Sequence, residues 1–167
     1  MHYNYCPNCG AKLKDKEAGD DGKVPYCENC QKYWFDSFSS AVIILVANEE
    51  NEIALLWQNY LSDKYANFIS GYMQPGESAE ESAAREVTEE IGLEPESLEY
   101  GGTYWFGQND LLMHGFIAKV KKAVLKPSPE VDTAKWIPAN EAKKYLFPDA
   151  PGNAQAALYR RFMVKIA

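Results

Sequence analysis

Several features that would assign the chain to other classes of protein are scarce in its 167 residues. The longest apolar run, 41–47, is far too short to span a bilayer, and the first residues lack the basic and then apolar pattern of a signal peptide. Lysine and arginine number 17 against 24 aspartates and glutamates, an imbalance that makes nucleic acid and acidic lipid poor bulk ligands. We therefore expect a cytoplasmic protein with a small-molecule ligand and no membrane partner.

Cysteine is absent after residue 30, and the four cysteines form two CxxC pairs separated by 17 residues. The predicted ligands of one Zn²⁺ ion are Cys6, Cys9, Cys27 and Cys30. Each short loop lets two thiolates converge on a tetrahedral ion, and the polar segment between the pairs, with turn signals at Gly19 and Gly22, predicts a hairpin. Two disulfides are the alternative, which a reducing compartment disfavours. The sequence thus predicts a structural zinc ribbon over residues 1–36.

Residues 37–167 predict a second domain of α+β class, in which strands and helices are mixed. The predicted strands are 41–46, 53–57, 68–72, 98–106, 111–120 and a short strand end at 136–138. The predicted helices are 78–91, 141–145 after a cap at Asn140, and 153–166. Residues 58–67 have no clear periodicity and are interpreted as a loop of the kind that carries specificity.

The most informative stretch is GYMQPGESAEESAAREVTEEIGL, residues 71–93. Its capping box at Ser78 and its glycine at position 92 bound the predicted helix 78–91. At about 100° per residue, Glu86, Glu89 and Glu90 gather on one edge of that helix. Like charges at this spacing repel each other, and Mg²⁺, which prefers oxygen ligands, is a natural remedy. A solvated acidic helix face is the alternative.

The spacing of this stretch resembles the signature of the Nudix hydrolases at each fixed position. The matching residues are Gly71, Glu77 after five intervening residues, and the run 85–93, REVTEEIGL, after seven more. This resemblance implies the Nudix fold, a mixed-sheet α/β/α sandwich. It also implies Mg²⁺- or Mn²⁺-dependent hydrolysis of a nucleoside diphosphate linked to another moiety.

By the same resemblance, Glu86, Glu89 and Glu90 are metal ligands or the base that activates water. Gly71 offers its backbone carbonyl to a metal, and Glu77 with Arg85 braces the helix against the preceding loop.

A further acidic residue, Glu130, lies in a stretch, 130–136, that resembles the glutamate-to-tryptophan segment found in many Nudix enzymes. By that resemblance it reaches the metal cluster from the side opposite the helix. A solvated charge in an irregular loop is the alternative, because Pro127 and Pro129, which directly precede this segment, indicate irregular backbone.

A zinc ribbon ahead of a Nudix domain resembles the NADH pyrophosphatase branch, which cleaves NAD(H) into NMN(H) and AMP. That branch carries a motif of the form SQPWPFPxSLM, where this chain has TYWFGQNDLLM at 103–113 and so lacks the Ser-Gln-Pro and two later prolines. The aromatic residues predicted to stack on a base are Tyr72, Tyr104, Trp105 and Phe106, with core packing as the alternative.

Several functions remain open at this point. NAD(H) or a related dinucleotide is the favoured substrate, with ADP-ribose, another nucleotide sugar or a nucleoside triphosphate as alternatives. A non-catalytic nucleotide sensor is a different class, disfavoured because all four signature glutamates are present. An RNA-binding ribbon draws support from Lys12, Lys14, Lys16 and Lys23, but the interleaved acids Asp15, Glu17, Asp20 and Asp21 weaken it. For the assembly, a homodimer is one alternative.

Overall fold

The computed structural model of the chain describes residues 2–167 and divides into two compact units. The first ends at Phe38 and the second runs from Ser39 to Ala167, so the division falls two residues after the boundary predicted at 36/37. In the described part of the chain, no helix has both the length and the apolar character needed to cross a membrane.

The first unit is a three-stranded antiparallel sheet that follows the predicted hairpin. Strand β1 (Lys14–Glu17) pairs with β2 (Lys23–Cys27), which pairs with β3 (Lys32–Tyr33), and a 3₁₀ turn at Gly19–Asp21 joins the first two strands. A small cluster of Cys6, Leu13 and Cys27 forms the buried centre. Because this cluster is so small, burial alone contributes little to the stability of the unit.

The second unit is built on a six-stranded mixed sheet in the order β7-β8-β4-β5-β9, with β6 paired to β4. The strands are β4 (Ser39–Ala47), β5 (Glu52–Trp57), β6 (Ile69–Tyr72), β7 (Ser97–Phe106), β8 (Leu111–Lys119) and β9 (Thr133–Pro138). Strand β4 lies at the centre, parallel to β8 along its whole length and antiparallel to β6 along half of it. This position explains why β4 is an almost unbroken run of buried apolar residues.

Alternate residues of β4 pack on opposite faces of the sheet, and each face is covered by helices. Val42, Ile44 and Val46 pack with helix α1 (Ala79–Ile91). Ile43 and Leu45 pack on the other side with α2 (Ala139–Ala142) and α3 (Ala154–Ile166). The second unit is therefore the predicted α/β/α sandwich of Nudix type.

Helix α1 begins and ends where its local signals predict. Ser78 is the N-cap: its hydroxyl accepts from the Glu81 amide at 3.2 Å, and the Glu81 carboxylate accepts from the Ser78 amide at 2.8 Å. Gly92 closes the helix in the left-handed conformation with φ 70°, which residues other than glycine adopt at a cost. Asn153 is the N-cap of α3, and its side-chain oxygen accepts a hydrogen bond from the Ala156 amide.

The prediction of a short second helix at 141–145 was wrong at both ends, because the helix runs from Ala139 to Ala142. The helix begins at Ala139, directly after Pro138, and Asn140 lies inside it without acting as a cap. Pro138 ends strand β9 opposite Glu52, and the apolar Ala139 and Ala142 turn inward onto the core. Burial of the two alanines, rather than a capping side chain, decides where this helix starts.

Candidate active site

Arg85 is the centre of the polar network on α1. Its guanidinium donates to both carboxylate oxygens of Glu77, from Nε at 2.6 Å and from Nη2 at 3.0 Å. From Nη1 it donates to Glu86 Oε1 at 2.7 Å and to Glu89 Oε2 at 2.9 Å, and from Nη2 to the carbonyl oxygen of Tyr72 at 3.2 Å. One planar cation therefore ties the helix to the loop and the strand that precede it.

Glu77 is held as an anion by this arrangement. The Arg85 guanidinium, assisted by the backbone amide of Gln74 at 2.9 Å, lowers the pKa of the Glu77 carboxyl to about 2. The same carboxylates raise the pKa of Arg85 further above its ordinary value. The loop between β6 and α1 is thus fastened to the helix by a charged pair that is only about one-fifth exposed on each side.

Glu86 packs directly against Gly71 of strand β6. The glutamate is 8% exposed, and a Cβ atom placed on Gly71 would lie closer than 3.0 Å to Cδ, Oε1 and Oε2 of its carboxylate. Glycine at this position therefore gives room to the carboxylate. The predicted role of the Gly71 carbonyl as a metal ligand stays a prediction.

Glu90, one turn further along α1, is the least satisfied charge of the site. It is 7% exposed, and its Oε2 is buried with no hydrogen-bond partner among the described residues. Burial raises the pKa of the Glu90 carboxyl to about 8, and the negative charges of Glu86, Glu130 and Glu89 act in the same direction. A buried anion of this kind is costly unless a cation or a proton compensates it.

The loop that carries Glu130 closes over the C-terminal end of α1. The amide of Ser128 donates to the Glu90 carbonyl at 3.1 Å, and the amide of Lys126 donates to the Ile91 carbonyl at 2.9 Å. Glu130 itself is exposed, yet its charge contributes to the raised pKa of Glu90. The fold thus brings Glu130 into electrostatic range of the helix carboxylates, although it lies 40 positions after Glu90 in the sequence.

These carboxylates fit a divalent cation with oxygen ligands. Glu90 supplies an unpaired buried oxygen, and Glu86 and Glu89 each have an oxygen that is not bound by Arg85 in the contacts described above. The acidic side chains are of the type that Mg²⁺ and Mn²⁺ prefer. Among the described residues, the carboxylates of α1 do not bring three ligand atoms together as the four thiols described below do.

The four predicted aromatic residues do not form one stacking surface. Tyr104 packs with the cluster on the α3 side of the sheet, and its hydroxyl donates to the Gly101 carbonyl at 2.8 Å. Alternation along the strands puts Tyr72 and Phe106 on that same side and Trp105 on the α1 side. Tyr72, Trp105 and Phe106 are exposed, and their contact with substrate stays a prediction.

Two further polar residues near α1 were not predicted from the sequence as site residues. Tyr60 lies in the loop after β5, where its hydroxyl accepts from Gln58 Nε2 at 3.1 Å. Although the residue is 69% exposed, partial desolvation of its hydroxyl and the charges of Glu90 and Glu130 raise its pKa. His114 of β8 lies with Nε2 3.0 Å from Ser40 Oγ, in a cross-strand row that runs through Val42 to Gly71. Neither residue belongs to a motif, and the strand pairing that aligns His114 with Gly71 is invisible in the sequence.

The four cysteine thiols of the first unit converge on one point. Their sulfur atoms all lie within 4.8 Å of one another, with Cys9 3.5 Å from Cys27 and Cys6 3.9 Å from Cys30. A tetrahedral Zn²⁺ ion with bonds of about 2.3 Å requires sulfur separations of about 3.8 Å. Disulfides require about 2.05 Å, so the predicted alternative of two disulfides does not describe this arrangement.

The electrostatics of the thiols also fit a cation. Burial raises the pKa of Cys6, but the backbone amides of Cys9 and Asn8 and the neighbouring thiols outweigh it and lower that pKa to about 6. The pKa of Cys9 is raised to about 12: the Ala11 amide lowers it, and the thiols of Cys30 and Cys27 together more than offset that effect. Four adjacent thiolates repel one another, and a bound cation would compensate their charge.

Comparison with known proteins agrees with this fold. The pattern that defines the NUDIX domain family matches residues 37–160, and the chain belongs to that family. NAD-capped RNA hydrolase NudC of Pseudomonas aeruginosa is 29% identical over 136 residues, which cover 81% of this chain and 48% of that protein. Nudix hydrolase 19, chloroplastic, of Arabidopsis thaliana is 34% identical over 151 residues, which cover 85% of this chain and 34% of that protein.

Among solved structures, a NUDIX hydrolase from Nitrosomonas europaea matches with a TM-score of 0.69 at 19% identity, covering 98% of this chain and 93% of that one. This structural likeness concerns the fold alone. The chain spans about half the length of the Pseudomonas relative and a smaller share of the Arabidopsis one.

Proposed function

We propose that this protein hydrolyses the pyrophosphate bond of a nucleoside diphosphate linked to another moiety, with Mg²⁺ or Mn²⁺ as the cofactor. The observation that carries the proposal is the set of carboxylates on α1, with Glu86 against Gly71 and, above all, a buried Glu90 oxygen that has no hydrogen-bond partner within residues 2–167. A merely solvated acidic face would not bury two of its glutamates to 7 and 8% exposure. Membership of the NUDIX domain family supports the same reaction.

In this proposal the ligands of the cation come from Glu86, Glu89 and Glu90, with the Gly71 carbonyl and Glu130 as lateral contributors. Arg85 orients Glu86 and Glu89 and, through Glu77, fixes the loop before the helix. Glu89 and Glu90 are the candidates to accept the proton of the attacking water. When bound, Mg²⁺ supplies positive charge for the diphosphate and lowers the pKa of a water molecule.

For the substrate we favour NAD(H) or a related dinucleotide, either free or at the 5′ end of an RNA. Relatives named NAD-capped RNA hydrolase support this choice. Their names also make RNA a candidate substrate for this chain, although its overall acidic charge disfavours nucleic acid. A dinucleotide at the end of an RNA presents the same diphosphate as the free molecule, so one site serves both.

The test is to incubate the full chain with Mg²⁺ and one candidate at a time and to identify the products by mass. The panel contains NADH, NAD⁺, ADP-ribose, a diadenosine polyphosphate, a nucleoside triphosphate and a short RNA that begins with NAD. We expect NMN(H) and AMP, or NMN and a 5′-phosphorylated RNA. Glu89→Gln serves as the inactive control, and absence of products from every member of the panel would refute the proposal.

ADP-ribose or another nucleotide sugar is the second candidate substrate. It is favoured by the stretch 103–113, which lacks the Ser-Gln-Pro and the two later prolines of the dinucleotide motif. Formation of ribose 5-phosphate and AMP from ADP-ribose at a higher kcat/KM than NADH would make it the preferred substrate. A chain that binds NADH without cleaving anything would instead be the non-catalytic sensor.

For the first unit we propose one structural Zn²⁺ ion held by Cys6, Cys9, Cys27 and Cys30. Four protein ligands leave no open position for substrate or water, so the ion contributes to folding rather than to hydrolysis. The convergence of the four sulfur atoms within 4.8 Å supports this assignment.

A further inference from the structure

The charges of the ribbon hairpin look evenly mixed in the sequence, but the strand separates them by face. In β1 and β2 the cross-strand neighbours are Lys14 with Tyr26, Asp15 with Pro25, and Glu17 with Lys23. Alternation therefore puts Lys14, Lys16 and Tyr26 on one face, while Asp15 and Glu17 point to the face that carries Pro25 and Cys27. The side chains of the acids that flank the lysines in sequence therefore start from the opposite face, although Asp15 also borders the depression described below.

The lysine-bearing face also carries a ladder of aromatic rings. The ring centroids of Tyr26 and Tyr33 are 4.8 Å apart, and those of Tyr33 and Phe35 are 6.5 Å apart. The Lys16 ammonium lies 3.9 Å from the centroid of the Tyr26 ring and 5.8 Å from that of Tyr33. Phe35, at the end of the ladder, is 53% exposed. We call this surface the aromatic–lysine face; its residues are Lys14, Lys16, Tyr26, Tyr33 and Phe35.

A shallow depression of about 450 Å³ adjoins this face. Its lining consists of Lys14, Asp15, Lys16, Tyr26, Glu28 and Gln31. Glu28 is ion-paired with Lys14 at 2.8 Å, a pair so exposed that it is worth little and is readily exchanged for another anion. Two lysines and two acidic residues, Asp15 and Glu28, share this lining, and a phosphate on Lys14 takes the place of Glu28. The exposed ring of Phe35, which offers a place for a base, lies on the same aromatic–lysine face but outside the depression.

From this arrangement we infer that the aromatic–lysine face binds single-stranded RNA, with a base stacked on Phe35 and the backbone phosphates on Lys16 and Lys14. Aromatic platforms combined with lysines are the means by which proteins hold single strands, because every base has a ring face and every linkage has a charge. Duplex RNA is a poor fit because its bases are already stacked within the helix. The inference deepens the proposed function, on which its biological meaning rests, by adding a separate site for single-stranded RNA.

The test is direct binding, which does not depend on hydrolysis. A fluorescein-labelled RNA of about ten nucleotides with a plain 5′-hydroxyl is titrated with the full chain, purified without chelators, and followed by fluorescence anisotropy at several salt concentrations. Lys16→Glu is compared with Lys23→Glu, the same charge reversal on the opposite face of the hairpin. Phe35→Ala and Phe35→Leu are compared with Tyr5→Ala, since Tyr5 is an exposed aromatic residue of the same unit outside the ladder.

We expect Lys16→Glu to weaken binding about tenfold. The slope of log K against log salt concentration should become smaller in magnitude by about 0.7, which corresponds to the loss of one phosphate contact on a single strand. Phe35→Ala should weaken binding about fivefold or more, and Phe35→Leu, which keeps an apolar side chain, should weaken it similarly if stacking is the cause. Tyr33→Phe keeps the ring and should bind like the wild type. Lys23→Glu and Tyr5→Ala should also bind like the wild type.

Absence of RNA binding by the wild type at low salt would overturn the inference, and so would equal losses in Lys16→Glu and Lys23→Glu. Preference for the matched duplex over the single strand would overturn it as well. NADH hydrolysis is measured on the same wild-type preparation. RNA binding without hydrolysis of NADH or of any other member of the substrate panel would refute the proposed function alone, and hydrolysis without RNA binding would refute this inference alone.

Discussion

Substitution of Gly71 by alanine tests the packing of the site most directly. The new Cβ would lie closer than 3.0 Å to three atoms of the Glu86 carboxylate, which cannot stay where it is. Glu86 is 8% exposed and is held by Arg85 Nη1 at 2.7 Å, so the carboxylate must rotate away and give up that hydrogen bond. A change of one methyl group on the strand therefore displaces a predicted metal ligand on the helix.

The magnitude follows from the contact that is lost. A hydrogen bond between charged partners contributes about 1.5–3 kcal/mol, and forcing a methyl group into a packed site costs about 1–3 kcal/mol. Because rotation of Glu86 relieves the second cost, we expect Gly71→Ala to lower the free energy of unfolding by about 1.5–3 kcal/mol. Displacement of a ligand by about 1 Å should also lower kcat about 100-fold.

A double-mutant cycle separates this explanation from a general intolerance of alanine in β6. In Glu86→Ala the carboxylate is gone and its space can hold the new methyl group, so Gly71→Ala should cost less than about 1 kcal/mol in that background. Urea unfolding of the four proteins, without added Mg²⁺ and followed by far-ultraviolet circular dichroism, gives the coupling energy. Additive effects, with a coupling energy near zero, would refute the reasoning.

Four further predictions concern the metal sites. Glu89→Gln and Glu90→Gln should each lower kcat by about 100-fold or more with the fold intact, and steady-state kinetics with circular dichroism checks this; normal turnover in both would refute the site assignment. The pKa of Glu90 is raised from 4.5 to about 8, so the folded state holds a proton that the unfolded state has lost between these pH values. The free energy of unfolding of the metal-free wild type should therefore fall as the pH rises from 4.5 to about 8, and Glu90→Gln should remove this fall. Urea unfolding at several pH values tests both expectations. The protein should carry one equivalent of zinc, and a chain starting at Ser37 should retain activity; less than half an equivalent by elemental analysis would contradict the ribbon assignment. Finally, Glu130→Gln should weaken the Mg²⁺ dependence and lower kcat by a smaller factor than the helix variants, because water replaces a single lateral ligand. A Mg²⁺ titration and a kcat equal to those of the wild type would show that Glu130 is a solvated loop residue and not a metal ligand.

Local signals in the sequence were sufficient for the helix of the site. The capping box at Ser78, the apolar stripe and the left-handed Gly92 are all decided within a few residues of the chain, and α1 follows them. The hairpins and the closing helix are predictable for the same reason. Asn140 shows the limit of such signals, because the start of α2 depends on which alanines reach the core.

The sides of the sheet could not be assigned by counting residues. Leu98 packs on the α1 side, and simple alternation from it would put Tyr104 there too. The strand has an irregularity between Tyr100 and Gly102, which reverses the alternation and turns Tyr104 toward α3. A one-residue shift of register moves each later side chain to the other face, and the amino-acid composition of the strand does not predict this shift.

The sequence by itself determined the α1 helix, its row of carboxylates, the cysteine spacing and the family to which these belong, because each depends on residues close together in the chain. Only the tertiary structure decided what those residues meet. It put Gly71 against Glu86, buried a Glu90 oxygen that has no hydrogen-bond partner among the described residues, and brought the loop that carries Glu130 to the end of the helix. In the ribbon it separated lysines from acids that alternate in the sequence. These outcomes depend on the pairing of distant strands and on the covering of particular faces, which are properties of the packed chain as a whole.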